Sequence, residues 1–150
     1  MHRTHDPYAA LRFRAFRWSW AAHVLLVFAA QAEATVFGWL IYERTQSAAA
    51  LGLAGLTMFL PVLLLSLPVG HWADVRSRTA MLLFGESVLL CAALCLVLFS
   101  ADGFPVGARF ATHAVSGIGN AFVSVARPVV MQEAIPPEAA ENAANWSSFG

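Results

Sequence analysis

Residues 50–72 read ALGLAGLTMFLPVLLLSLPVGHW, twenty-three positions without one formal charge. A helix rises about 1.5 Å per residue and the hydrocarbon core of a bilayer is about 30 Å thick, so about twenty consecutive apolar residues cross it. Three further stretches meet the same length test. Residues 18–42 carry Glu33 as their sole formal charge, 79–100 run apolar around Glu86, and 105–126 follow the polar break Ala101-Asp102-Gly103, with Arg109 near their start. The first stretch is too long for the apolar region of a cleaved signal peptide, and no small-residue cleavage site follows it before the next span. The expectation is an all-α polytopic membrane bundle: a cytoplasmic segment at 1–17, then four transmembrane helices at about 18–42, 50–72, 79–100 and 105–126.

Composition leads to the same solvent. Of the 150 residues 59% are hydrophobic and 12% charged, against about a quarter charged in ordinary soluble domains, and the mean hydropathy is +0.63. Disorder, collagen, a disulfide mini-scaffold and nucleic-acid binding are excluded on these grounds. Nine basic residues, all Arg, balance nine acidic ones, so placement carries more information than net charge. Arg3, Arg12, Arg14 and Arg17 precede the first span, Arg76 and Arg78 separate the second from the third, and Arg127 follows the fourth. With alternating spans all seven fall on one side, which the positive-inside rule makes cytoplasmic; Trp18, Trp20 and Trp72 then mark that interface and Trp39 and Tyr42 the opposite one. Cys91 and Cys95, inside an apolar run, read as buried thiols with neither a disulfide nor a metal role.

After the fourth span the sequence suggests a break at Arg127-Pro128 and a restart at Pro137-Glu138. A fifth helix is expected from about 138, and the chain stops where it should turn apolar, which reads as a fragment or truncated product.

The link between spans two and three, Gly70-His71-Trp72-Ala73-Asp74-Val75-Arg76-Ser77-Arg78, places an acid and two bases at helix ends. It is either a solvated charged turn or a latch, since Gly70 permits close backbone approach and Asp74 can lie near the positive N-terminus of the third helix. The stretch resembles the Gly-x-x-x-Asp-Arg-x-x-Arg-Arg signature between helices two and three of the major facilitator superfamily. The likeness extends to Gly38-Trp39-Leu40-Ile41-Tyr42, Leu51-Gly52-Leu53, Phe59-Leu60-Pro61, Leu67-Pro68-x-Gly70 and the linker from Ala126-Arg127-Pro128 to Pro137-Glu138, all similar to the enterobactin-exporter-like branch. Gly70, Asp74 and Arg78 match the signature, Arg76 is a nearby substitute charge, and Val75 and Thr79 depart from it. The resemblance implies a gating role for Gly70, Asp74, Arg76 and Arg78, bridging two transporter halves on the cytoplasmic side, and so a C-terminal half as partner.

A charge at the bilayer centre costs about 2.5–3.5 kcal/mol on insertion scales and must face protein or water. Glu33, near the middle of the first span, therefore reads either as a proton-coupling or substrate-binding carboxylate or as a hydrogen-bonded packing residue. Gln31 beside it and Asn120 in the fourth span join it as candidate lining of a transport path, and Ser116 can line a cavity or bond a neighbouring helix. Glu86 reads equally well as structural. Arg109 is expected to snorkel to the headgroups, and His23 and His113 to be core residues. Gly117 with Ala121, and Gly52 with Gly55, are expected to give smooth faces for close helix packing.

No nucleophile with a base, metal cage or phosphate loop is present in the sequence, so no enzymatic activity, metal or cofactor is expected. The expected function is secondary-active, proton-coupled export of a small siderophore- or drug-like molecule by alternating access. The bacterial inner membrane is the expected location, with lipid, cargo and protons as partners and no nucleic acid. The competing expectation is a small four-span protein that assembles as an oligomer, structural or a compact exporter.

Overall fold

The computed structural model describes residues 12–101 and 104–133. They form four α-helices, α1 (Arg14–Thr45), α2 (Ala48–Val75), α3 (Arg78–Ser100) and α4 (Val106–Glu133), with no strand among the described residues. Each is long and apolar enough to cross a membrane. The expected fifth helix, from about 138, lies outside the described residues.

Two very short links hold α1, α2 and α3 in register. α1 ends at Thr45, and Gln46 just after it takes a left-handed φ of 49°. Its N–H bonds Tyr42 O at 2.8 Å and its side-chain amide reaches the carbonyls of Tyr42 and Glu43, so orphan carbonyls at the helix end are satisfied locally. Ser47 then caps α2 by accepting from Ala50 N–H. The second link repeats the device: Arg76 N–H closes α2 on Trp72 O and Ser77 caps α3 by accepting from Ala80 N–H. Within the helices, Thr57 and Ser87 hydroxyls donate to carbonyls of their own turns, as polar groups must where no water is available.

The chain packs as two compact units, one of Ala32–Arg127 and one of the remaining chain. The first has two clusters of buried residues. Phe37, Ile41, Ala54 and Leu96 form one, joined by Phe110; Val69, Met81, Phe122 and Ala126 form the other. In the remaining unit Phe16 and Met131 are buried. The outward surface is apolar: Leu67 is 84% exposed and Val97 70%. In water such a surface would drive aggregation, whereas against lipid tails it is matched.

α4 is wedged by two glycines. A Cβ on Gly117 would lie 2.5 Å from Met58 O of α2, and Gly85 of α3 and Gly119 face each other so closely that a Cβ on either would come within about 3 Å of the other's carbonyl oxygen. Gly117 and Gly119 thus let α2 and α3 approach α4 backbone to backbone. Gly52 and Gly55 behave differently from the expectation: a Cβ on either meets nothing within 4 Å, so neither is a packing face. Cys91 is exposed and Cys95 half-buried, which corrects the reading of both as buried thiols; an apolar run in a membrane-length helix does not require burial against the rest of the chain. The expected break at Arg127-Pro128 does not form either. α4 runs through Pro128, losing one ladder bond that a packed membrane helix tolerates, just as α2 runs through Pro61 and Pro68.

The glycine geometry predicts opposite outcomes for similar substitutions. Gly117→Val should destabilise the bundle by about 1–3 kcal/mol through overpacking against α2 backbone, while Gly52→Ala should be neutral or stabilising by up to about 1 kcal/mol. Thermal unfolding in mild detergent, followed by helical circular dichroism, checks both.

Candidate functional site

The polar groups of the membrane interior collect on α4. Half of its apolar window, 50%, is buried inside the protein, against at most 17% for the other helices. Steps of four, three and four residues place Arg109, His113, Ser116 and Asn120 along one face.

Glu33 of α1 meets this face about 18 Å from the end of its helix at Thr45, by the rise per residue. Ser116 Oγ donates to Glu33 Oε1 at 2.6 Å, and His113 Nδ1 lies 3.6 Å from the same oxygen, an ion-pair distance beyond direct hydrogen bonding. His113 is 5% exposed. Its ring stacks on Phe37 with centroids 3.9 Å apart and planes at 13°, and Phe37 meets Phe110 edge-on. The imidazole is therefore clamped between an aromatic face and a carboxylate. Sequence reasoning placed His113 among core residues; its spacing from Ser116 and Arg109 on one helical face was the signal that could have joined it to Glu33.

An open cleft of about 390 Å³ lies beside this cluster, bounded by Phe37 and Gly38 of α1, Gly55, Met58 and Phe59 of α2, and His113 of α4. His113 is the one polar side chain among its lining residues.

Arg109 does not snorkel. It is 1% exposed, with Nε donating to Phe99 O at 2.8 Å and Nη2 to Ser100 O at 3.5 Å. The reason is local: the last carbonyls of α3 lack helical partners and carry the negative end of the helix dipole, a better site for a guanidinium than a distant headgroup. Nearer the other end of α4, Arg127 Nη2 bonds Glu86 Oε1 of α3 at 2.8 Å, with the side chains 10% and 33% exposed. This resolves Glu86, whose sequence allowed either role, as a partner in a helix-to-helix ion pair.

Gln31 is exposed and sits two residues from Glu33, on a different face of the helix. Asn120 is half-buried, one turn beyond Ser116. Gly70 and Asp74 are one turn apart on α2 and share a face. A Cβ on Gly70 would meet nothing within 4 Å. Asp74 is exposed in the last turn of α2, so Ser77, not Asp74, occupies the N-terminus of α3. Arg76 is exposed in the link and Arg78 half-buried at the first position of α3.

The Glu86–Arg127 geometry yields a measurable coupling. A double-mutant cycle with Glu86→Gln and Arg127→Gln should return an interaction energy of about 0.5–3 kcal/mol, the range for contacting residues, in detergent unfolding midpoints. Additive effects of the two substitutions would show that the ion pair contributes nothing to the α3–α4 contact.

The family comparison fits this architecture. Residues 5–150 match a family described as transmembrane secretion effector; no curated protein and no solved structure matches the chain. The family is of the major facilitator type, and its members are transporters, not enzymes. With four membrane-length helices and a match over nearly its whole length, the chain is a multi-pass membrane protein that belongs to the transmembrane secretion effector family of the major facilitator superfamily.

Proposed function

We propose that the protein is a proton-coupled secondary exporter of a small organic molecule, working by alternating access in a bacterial inner membrane with its N-terminus cytoplasmic. The observation that carries this reading is Glu33 in mid-helix, holding Ser116 at 2.6 Å and His113 at 3.6 Å beside an apolar cleft. A carboxylate and an imidazole that face one another can exist as a neutral pair or as an ion pair with the same net charge. One further proton makes the cluster cationic, and that cation is favoured on the face of Phe37. Proton occupancy thus changes what the site attracts, and a proton that binds one access state better than the other shifts the balance between them.

The link between α2 and α3 supplies the mechanical half of the proposal. Asp74 stands at the negative end of its own helix, an unfavourable place for an acid, and shares its face with Gly70, over which a Cβ would find open space. Such a carboxylate is suited to a partner brought by a second helical bundle. In this reading Gly70, Asp74, Arg76 and Arg78 close the cytoplasmic side when the two bundles meet. Cargo of the siderophore or drug type follows from the resemblance to the enterobactin-exporter-like branch, and catalysis has no part in the proposal.

Glu33→Gln tests it. Inverted membrane vesicles carrying the protein are given an imposed pH gradient, and uptake of a catecholate siderophore and of a lipophilic dye is followed. The substitution should leave the protein folded and reduce gradient-driven transport at least tenfold, while substrate exchange without a gradient persists. Unchanged gradient-driven transport in Glu33→Gln would refute the coupling role.

A further inference from the structure

We propose that Arg14 and Arg17, at the start of α1, hold the phosphate of an anionic phospholipid on the outward face of that helix. Such a site needs a bilayer and neither cargo nor coupling, so it stands independently of the export reading.

Packing at the start of α1 decides which way these arginines face. Phe16 is fully buried, and at about 100° per residue Arg14 and Trp18 each lie about 160° around the helix from it. Trp18, Leu25 and Phe28 are 68%, 69% and 70% exposed, and all three fall within about 40° of Arg14. A run of large apolar side chains along the outward side of a membrane-length helix is matched by lipid tails. Arg14 continues that stripe beyond Trp18, and Arg17 flanks it about 60° away. Depth follows from the tryptophans of α1. Trp18 and Trp39 are both exposed, and the helix between them measures about 32 Å at its usual rise, close to the roughly 30 Å of bilayer hydrocarbon. Tryptophans favour the two interfaces. Arg17 is therefore level with Trp18 and Arg14 one turn, about 6 Å, further out, where a long side chain reaches the lipid phosphates.

The chain does not answer these two charges itself. Both arginines are exposed, and among the described residues neither guanidinium forms an ion pair or a hydrogen bond. The first turn of α1 contains no acid. In open water an exposed guanidinium needs no partner, but beside a lipid-facing stripe its neighbours are headgroups. Side chains three residues apart on a helix are adjacent, so Arg14 and Arg17 present two forks of N–H donors to one place, a good match for phosphodiester oxygens. A zwitterionic headgroup carries its own cation into that positive patch, whereas an anionic one does not. Each arginine close to an acidic leaflet strengthens association about fivefold, so charge selects the anionic lipid.

The test places the whole chain in nanodiscs made from equal amounts of phosphatidylglycerol and phosphatidylcholine with the same acyl chains. Native mass spectrometry of the released protein then counts the lipids that stay bound. The expected result is at least fivefold more phosphatidylglycerol than phosphatidylcholine on the protein. Replacing both arginines, Arg14→Gln with Arg17→Gln, should lower that ratio at least fivefold with helical circular dichroism unchanged. Arg44→Gln, which removes a charge from the opposite end of α1, should alter it less than twofold. A ratio below fivefold in the unsubstituted protein overturns the proposal without reliance on any variant, and is the result expected if another protein segment covers this face. A ratio that the double substitution lowers less than fivefold overturns it too. So does an equal loss in Arg44→Gln, because the overall charge and not this turn would then select the lipid.

Discussion

Lipid supplies no hydrogen bonds, and that absence organises this protein. Where water cannot satisfy a polar group, the group must be satisfied by the chain or be moved to an end. Three helices meet the constraint almost trivially: their surfaces are apolar, and hydroxyls such as those of Thr57 and Ser87 bond their own helix. α4 concentrates the exceptions. Its polar face can be carried into the bilayer because that face is covered by α1 and α3, and Gly117 and Gly119 let the neighbouring backbones come close enough to cover it.

The architecture was legible in the sequence because its signal is long. Twenty-three uncharged residues in a row have few alternatives, and the caps at Ser47 and Ser77 fall where the apolar runs restart. The site was only half legible. Glu33 announced itself as the sole formal charge of its span, but its partners did not, because His113 and Ser116 are eighty or more residues away and helix pairing is not written in hydropathy. Arg109 was misjudged for a related reason. Its depth in the span permitted an escape to the headgroups, and nothing in the local sequence revealed that the frayed end of α3 would lie within reach of its guanidinium.

The glycines illustrate the same limit from the other side. Gly52 with Gly55 and Gly117 with Ala121 both read as small-residue faces in the sequence, yet Gly117 is pinned against α2 while Gly52 and Gly55 face open space or the cleft. Small residues permit close approach; they do not say which helix will come. Only the arrangement of all four helices assigns one glycine pair to packing and leaves the other lining a space.

The two intramembrane carboxylates show how the environment divides roles between similar groups. Glu86 is held by Arg127 at 2.8 Å, and a guanidinium remains charged at any pH the cell meets. Their direct hydrogen-bonded pair suits a structural tie between α3 and α4. Glu33 has a permanent cation within one helical turn of its partner, since Arg109 precedes His113 by four residues, but the carbonyls at the end of α3 draw that guanidinium away. What remains facing Glu33 is the His113 imidazole at 3.6 Å and the Ser116 hydroxyl at 2.6 Å, a group that can donate or accept. Capping α3 with Arg109 therefore does more than finish a helix. It takes up the one guanidinium within a helical turn of His113, and it leaves the Glu33 carboxylate facing an imidazole and a hydroxyl.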